Sequence, residues 1–277
     1  MITEFINYLV NIKGYSQNTA RAYEKDLRTF VAFIKEYDCV LKWSTITLKD
    51  VDAFVIHQTK RGLKPATTNR QLASVAAIYN YFRRNGWISE SPVRFESRRK
   101  VEKRQPNTIP TDALKKAYDE SKGTTHLMLG VLIETGIRVQ ELLDIRKCDV
   151  NTQTNEIRIK GKGQKQRTVA VTKETAQALE KMATYRRYDE RVFKGYNQRE
   201  TRQMIFQTLR PYTNAPQVSP HAIRHTFATE VARQGVNTTT LQIMLGHENI
   251  KTTQKYIDYA QQNASTAFRT YQNNVQV

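Results

Sequence analysis

The sequence predicts a mainly α-helical protein: an amino-terminal helical bundle, then a mostly α second domain carrying a small antiparallel β-sheet. Three observations carry this expectation. A chain of 277 residues has room for two hydrophobic cores. Apolar residues recur at spacings of three and four over most of its length. The one interruption is a pair of short alternating β-branched runs, EIRIK and RTVAV, flanking GKGQKQ, which reads as a hairpin with glycines at its turn.

The first helices follow from capping and periodicity. Ser16 caps a segment whose apolar positions are Ala20, Tyr23, Leu27, Phe30 and Ile34. Thr47 and Asp50 make a T-x-x-D capping signal before VDAFVIHQTK. Beyond Pro65, the positions Leu72, Val75, Tyr79 and Phe82 step by three and four, and Gly86 supplies the stop. The polar, charged stretch ESRRKVEKRQPN has linker composition, so domains are expected at 1–95 and 110–277 with a basic linker at 96–109. The second domain opens near Pro110, with helical periodicity through HLMLGVLIETG. Cys39 and Cys148 are too few for a disulfide framework and read as small core residues.

Charge narrows the partners. The formal net charge is +18 and the isoelectric point is near 9.9, which predicts an extended polyanion, nucleic acid ahead of anionic membrane. The excess is spread evenly, +9 in residues 1–105 and +9 in the remainder. Lys60, Arg61, Lys64 and Arg70 gather where one helix ends and the next begins, and Arg98, Arg99 and Lys100 lie in the linker; these seven are the candidate DNA contacts. No window approaches the ~18 apolar residues of a membrane span, and Glu4 and Asn7 interrupt any signal-peptide core, so a soluble cytoplasmic protein is expected.

Four stretches of the second domain hold groups suited to a phosphate. In ETGIRVQEL, Arg138 and Glu141 are three apart, so the carboxylate is able to hold the guanidinium. In the hairpin turn, Lys162 lies between Gly161 and Gly163, where a mobile ammonium can donate a proton to a leaving oxygen. In SPHAIRHTFATE, Ser219 and Pro220 begin a helix on which His221 and Arg224 share a face, while His225 points about 100° from Arg224 and reads as packing or support. A metal at His221 and His225 is disfavoured by the missing Glu of H-E-x-x-H and by the adjacent arginine. In LQIMLGHENIKTTQKYIDYA, Gly246 breaks a helix, His247 follows, and Tyr256 and Tyr259 are both candidate nucleophiles. No Walker motif is present, and neither a metal nor a cofactor is expected.

Taken together, GIRVQEL, IKGKGQKQR, HAIRHTFAT and LGHENIKTTQKY resemble the successive catalytic boxes of the tyrosine recombinase (phage integrase) family. The first domain, in GYSQNTARAYEKDLRTF and ATTNRQLASVAAIYNYF, is similar to that family's SAM-like core-binding domain. The likeness is greatest to compact Xer-like members without an arm-binding domain. The departures are small: Ile223 stands where leucine is frequent, and Asp258 where histidine often follows the tyrosine.

The resemblance implies a site-specific DNA recombinase acting through a 3′-phosphotyrosine and a Holliday junction. Arg138 and Arg224 would clamp the scissile phosphate, Tyr256 attack it, and Lys162 protonate the 5′ oxygen. His221 would serve as base and phosphate ligand, His247 as hydrogen-bond donor, with Glu141 and His225 in support. It also implies double-stranded DNA with inverted-repeat-like core sites. A monomer in solution would bind as a dimer per site and a homotetramer on two duplexes, with a tail helix (Ala264, Ala267, Phe268, Tyr271) docking in trans. Two rivals remain open: a DNA-bending protein that does not cut, and relaxation of the type IB topoisomerase kind.

Overall fold

The computed structural model describes residues 1–37, 42–101, 105–161 and 166–261. Cys39, Lys162, Gly163 and the tail positions Ala264, Ala267, Phe268 and Tyr271 lie outside them. The chain divides into two compact units, Met1–Lys103 and Arg104–Val277.

Helices α1 (Ile2–Asn11), α2 (Gln17–Tyr37), α3 (Leu48–Lys60) and α4 (Pro65–Arg84) build the first unit. Ser16 accepts the Thr19 backbone N–H at 3.2 Å, and the Thr47 N–H donates to Asp50 Oδ2 at 2.7 Å, so α2 and α3 begin where the capping residues stand. Leu27, Phe30 and Ile34 of α2 and Leu72, Val75, Tyr79 and Phe82 of α4 are buried in one core with Phe5, Trp43 and Phe54. Trp43 is held edge-on by Tyr79 and Phe82, and the Tyr79 hydroxyl donates to the Trp43 carbonyl at 2.9 Å.

Two of the seven candidate DNA contacts give their guanidinium groups to polar partners inside this unit, and a third, Arg98, lies over the Phe95 ring. Arg70 pairs with the buried carboxylate of Asp26, which also accepts from Ser74 Oγ at 2.9 Å. Arg99 donates to the Leu63 carbonyl at 2.9 Å, and its peptide exchanges hydrogen bonds of 2.8 and 2.9 Å with the Asn69 amide. Ser97 adds a bond to Asp52 at 2.7 Å. The start of the segment read as a linker is therefore tied to the first unit. Its end belongs to the second, because Ile109 is buried and exchanges backbone bonds with the Thr226 hydroxyl.

The second unit is built around α6 (Gly123–Thr135), whose residues Leu127 to Leu132 are all buried; a helix apolar on every side is a central one. Around it lie α5 (Thr111–Glu120), α7 (Val139–Asp144), α8 (Lys173–Met182), α9 (Gln198–Leu209), α10 (Pro220–Arg233) and α11 (Thr238–Leu245), and residues 250–261 form α12. The hairpin strands are β2 (Glu156–Lys160) and β3 (Gln166–Ala170), paired antiparallel with Ile157 opposite Val169. Ile157, Ile159 and Val169 face the core. A short strand, β1 (Val150–Asn151), extends the sheet to the order β1-β2-β3; two residues are too few to show a period. Cys148 is half-buried and not a core residue: it lies in the short 3-10 turn Lys147–Asp149 before β1, where its backbone N–H donates to the Tyr188 carbonyl at 2.9 Å. Among the described residues no helix is long and apolar enough to cross a membrane.

Candidate active site

Two helix ends meet at one arginine. α6 closes on Gly136 (φ 59°) and α11 on Gly246 (φ 63°), both in the left-handed region that favours glycine. Arg224, 2% exposed in the second turn of α10, donates to the Gly136 carbonyl at 2.9 Å and to the Leu245 carbonyl at 2.6 Å. Its guanidinium is thus bound to the negative ends of two helices. Burial, with the positive charge of Arg138 beside it, lowers its pKa to about 10, which leaves it protonated at neutral pH.

Arg138 occupies the N-cap of α7 in extended conformation, not the helix proper. Its backbone N–H donates to Glu141 Oε2 at 2.8 Å and its Nη1 to Oε1 at 2.9 Å, so the three-residue spacing does bring the pair together. The side chain is 43% exposed and also reaches the Gly246 carbonyl through long contacts of 3.3 and 3.4 Å. Glu141 is buried and ionised: burial pushes its carboxyl up, and the hydrogen bonds from Arg167 and Arg138 outweigh it and bring it below the usual range.

Tyr256 comes from α12 and is 1% exposed, packed with Ala228, Ala232, Leu241, Leu245 and Ala260 in a small cluster of its own. Its hydroxyl is 2.5 Å from His225 Nδ1. The His247 ring lies nearly parallel to its ring, 16° apart in plane at 6.4 Å, and the Lys255 ammonium stands 4.8 Å from the ring centre. Burial pushes the phenol up to about 12, against the pull of Arg224 and Arg138. His247 is held by Thr253, Nδ1 to Oγ1 at 2.9 Å. His221 is exposed, with its ring edge-to-face with His225 at 4.3 Å.

All three imidazoles are depressed, chiefly by desolvation. His225 falls to about 3, with His221, Lys255 and Arg224 adding their positive charge; His247 falls to about 4, with Arg224, Arg138 and Lys255 adding theirs. His221, open to solvent on one side only, shifts the same way through the partial desolvation of its inner side and the charges of Arg224, Lys255 and Arg138. At neutral pH the cluster therefore holds fixed cations and neutral imidazoles, an environment for an anion. A metal ion fits poorly, since the positive charge of Arg224 bears on the His221–His225 pair and His225 Nδ1 is already engaged by the phenol.

The depressed histidines carry a stability consequence. The folded state favours their neutral forms, so the stability they confer is complete above the ordinary histidine value near 6.5 and is lost as pH falls from there towards about 4 and 3. Thermal melts taken between about pH 7 and pH 4 are expected to show a falling Tm, and His225→Gln should flatten that slope.

The structure thus gathers Arg138, Glu141, His221, Arg224, His225, His247 and Tyr256 from α7, α10, α11 and α12 and the turns between them. It is Tyr256 rather than Tyr259 that meets the imidazoles. His225, read from helical angles as packing or support, is the imidazole in contact with the phenol oxygen, because α12 approaches α10 on that side. Lys162 lies outside the described residues, and Lys60, Arg61, Lys64, Arg70, Arg98, Arg99 and Lys100 belong to the first unit. Sequence reading missed Arg167, Lys255 and Thr253. The signals available were the parity of Arg167 in β3 and the adjacency of Lys255 to Tyr256, neither of which identifies a partner.

The phage integrase family pattern covers residues 101–263, the span that contains this whole cluster. The chain belongs to the phage integrase family. The N-terminal SAM-like domain of phage integrases matches residues 2–86, the first helical unit. Among family relatives, the tyrosine recombinase XerD of Listeria innocua serovar 6a is 29% identical over 275 residues, covering 92% of this chain and 93% of that protein. The tyrosine recombinase XerC of Listeria welshimeri serovar 6b is 27% identical over 285 residues, covering 96% and 95%. The same fold recurs in the XerH site-specific recombinase bound to palindromic difH substrate, a post-cleavage complex (TM-score 0.80, 17% identity, 98% of this chain and 85% of that one). It recurs also in the Tn1549 transposon integrase in complex with a circular intermediate DNA (TM-score 0.72, 18% identity, 96% and 99%).

Proposed function

We propose that in this tyrosine site-specific recombinase Tyr256 attacks a DNA phosphodiester in line, forming a 3′-phosphotyrosine and releasing a 5′ hydroxyl. The observation that carries the reading is the placement of one buried phenol within the charge field of Arg224 and Arg138, with an imidazole on its oxygen. Preorganised cations stabilise the equatorial oxygens of the transition state more than the ground state. Arg138 and Arg224 are the clamp. The negative charge of a bound phosphate raises the depressed imidazoles and so readies them to take the phenol's proton: His225 is in contact with the hydroxyl, and His221 meets the His225 ring edge-to-face. His247 donates to the phosphate, and Lys162 returns a proton to the departing 5′ oxygen.

The ester keeps the energy of the broken bond, so a second 5′ hydroxyl reverses the step and exchanges strands without an external energy source. The finer assembly follows the family resemblance: inverted-repeat-like core sites, two protomers per duplex, four around a Holliday junction, and a tail helix docked on a neighbour. Net charge of +9 in each half of the chain supports contact with phosphate by both units, and affinity should fall steeply with salt.

The test is a covalent adduct. Wild type, Tyr256→Phe and Tyr259→Phe are incubated with DNA from the regions flanking the gene, and with a nicked suicide version of the bound site. An SDS-resistant complex is expected for wild type and Tyr259→Phe and absent for Tyr256→Phe. Binding without any adduct would leave the DNA-bending reading in its place. Adducts with relaxation of supercoils but no junction would favour the topoisomerase reading.

A further inference from the structure

The last three carbonyls at the end of α11 each accept from a different arginine. Arg167 Nε donates to Met244 at 3.0 Å, Arg224 to Leu245 at 2.6 Å, and Arg138 to Gly246 at 3.3 and 3.4 Å. Two of these are the proposed phosphate clamp, and the third is not accounted for. Arg167 is 10% exposed, and its remaining nitrogens grip Glu141 two-handed, Nη1 to Oε1 at 3.1 Å and Nη2 to Oε2 at 2.8 Å. Those same two oxygens hold Arg138. A Cβ on Gly246 would stand 2.7 Å from Arg167 Nη1 and 3.0 Å from its Cζ, so the guanidinium lies against backbone that only glycine leaves open.

We propose that Arg167 is a positioning residue for strand cleavage: it locks the Glu141 carboxylate, and through it the orientation of Arg138, while tying β3 to the end of α11. This rests on the reading of Arg138 as a phosphate ligand. The geometry gives Arg138 little else to aim it, since its bonds to the Gly246 carbonyl are long and its side chain is half in solvent. Arg167 is the stiff member. Its planar fork matches the carboxylate edge in a way that a lysine ammonium cannot. It also follows Lys162, the proposed proton donor, by five residues in sequence.

The experiment compares single-turnover cleavage of a nicked suicide substrate with DNA affinity, for wild type, Arg167→Lys, Arg167→Gln, Glu141→Gln and the double variant Arg167→Gln/Glu141→Gln. Both Arg167 variants are expected to cleave about 10²-fold more slowly, the scale of loss for a misplaced catalytic group, with Kd unchanged. The acid limb of cleavage should move to higher pH in Arg167→Gln, because Glu141 loses a partner that lowers its pKa. That shift should vanish in the double variant, whose loss should be less than additive. Cleavage at the wild-type rate, an unmoved acid limb, or a loss matched by lost DNA affinity would overturn the proposal. So would failure of both Arg167 variants to fold, which would mark a purely structural arginine. Absence of an adduct with wild type would instead count against the recombinase reading itself.

Discussion

Arg224→Lys should lower the single-turnover cleavage rate by about 10²–10³-fold, the cost of removing one preorganised donor from a developing anion. The charge survives this change. What is lost is the fork: Arg224 uses Nη1 and Nη2 on two separate carbonyls, those of Gly136 and Leu245, and lysine has one nitrogen on a rotatable stem. A site that needed only positive charge would tolerate lysine. The measurement is cleavage of a suicide substrate at saturating enzyme, with a melting curve beside it. The loss should lie mainly in the chemical step, and a variant equal to wild type would remove Arg224 from the clamp.

The second large effect is one of stability, at Gly136→Ala. The residue has φ 59°, where a side chain costs roughly 1–2 kcal/mol, and its Cβ would fall 2.4 Å from Phe227 Cδ1 and 3.1 Å from Phe227 Cβ. Overpacking of a filled site adds about 1–3 kcal/mol. Together about 2–5 kcal/mol is expected, read as a drop in the denaturation midpoint of the second unit without change in the slope m. Because Gly136 also supplies a carbonyl to Arg224, whatever folded fraction remains should cleave slowly. An unchanged midpoint would mean that the ring of Phe227 moves aside freely.

Periodicity was enough for much of the first unit. Leu72, Val75, Tyr79 and Phe82 recur on one helical face, and a face that repeats must be buried somewhere. The candidate site was legible for a different reason: some of its side chains lie in short local frames, such as Arg138 with Glu141, whose spacing survives into the fold as a hydrogen-bonded pair. What sequence could not show were pairings made across elements. Arg70 looked like a surface cation and instead pairs with buried Asp26, and Arg99 looked like part of a loose strap and is bonded to Leu63 and Asn69. Arg167 and His225 find their partners on other elements, α7 with α11 and α12 respectively, at sequence distances where spacing carries no information. β1 lacked the length to announce itself.

In the proposed reaction the burial of Tyr256 would matter after cutting as well as before it. An ester formed on a residue 1% exposed, walled by alanines and leucines, would be shielded from the one competitor always present in excess, a water molecule. Hydrolysis there would turn a reversible exchange into a lasting strand break. In the proposed reaction the apolar lining of this cluster would thus protect the DNA rather than the enzyme, and Leu241→Ala, which enlarges the space around the ester, is expected to leave more hydrolysed, unrejoined strands.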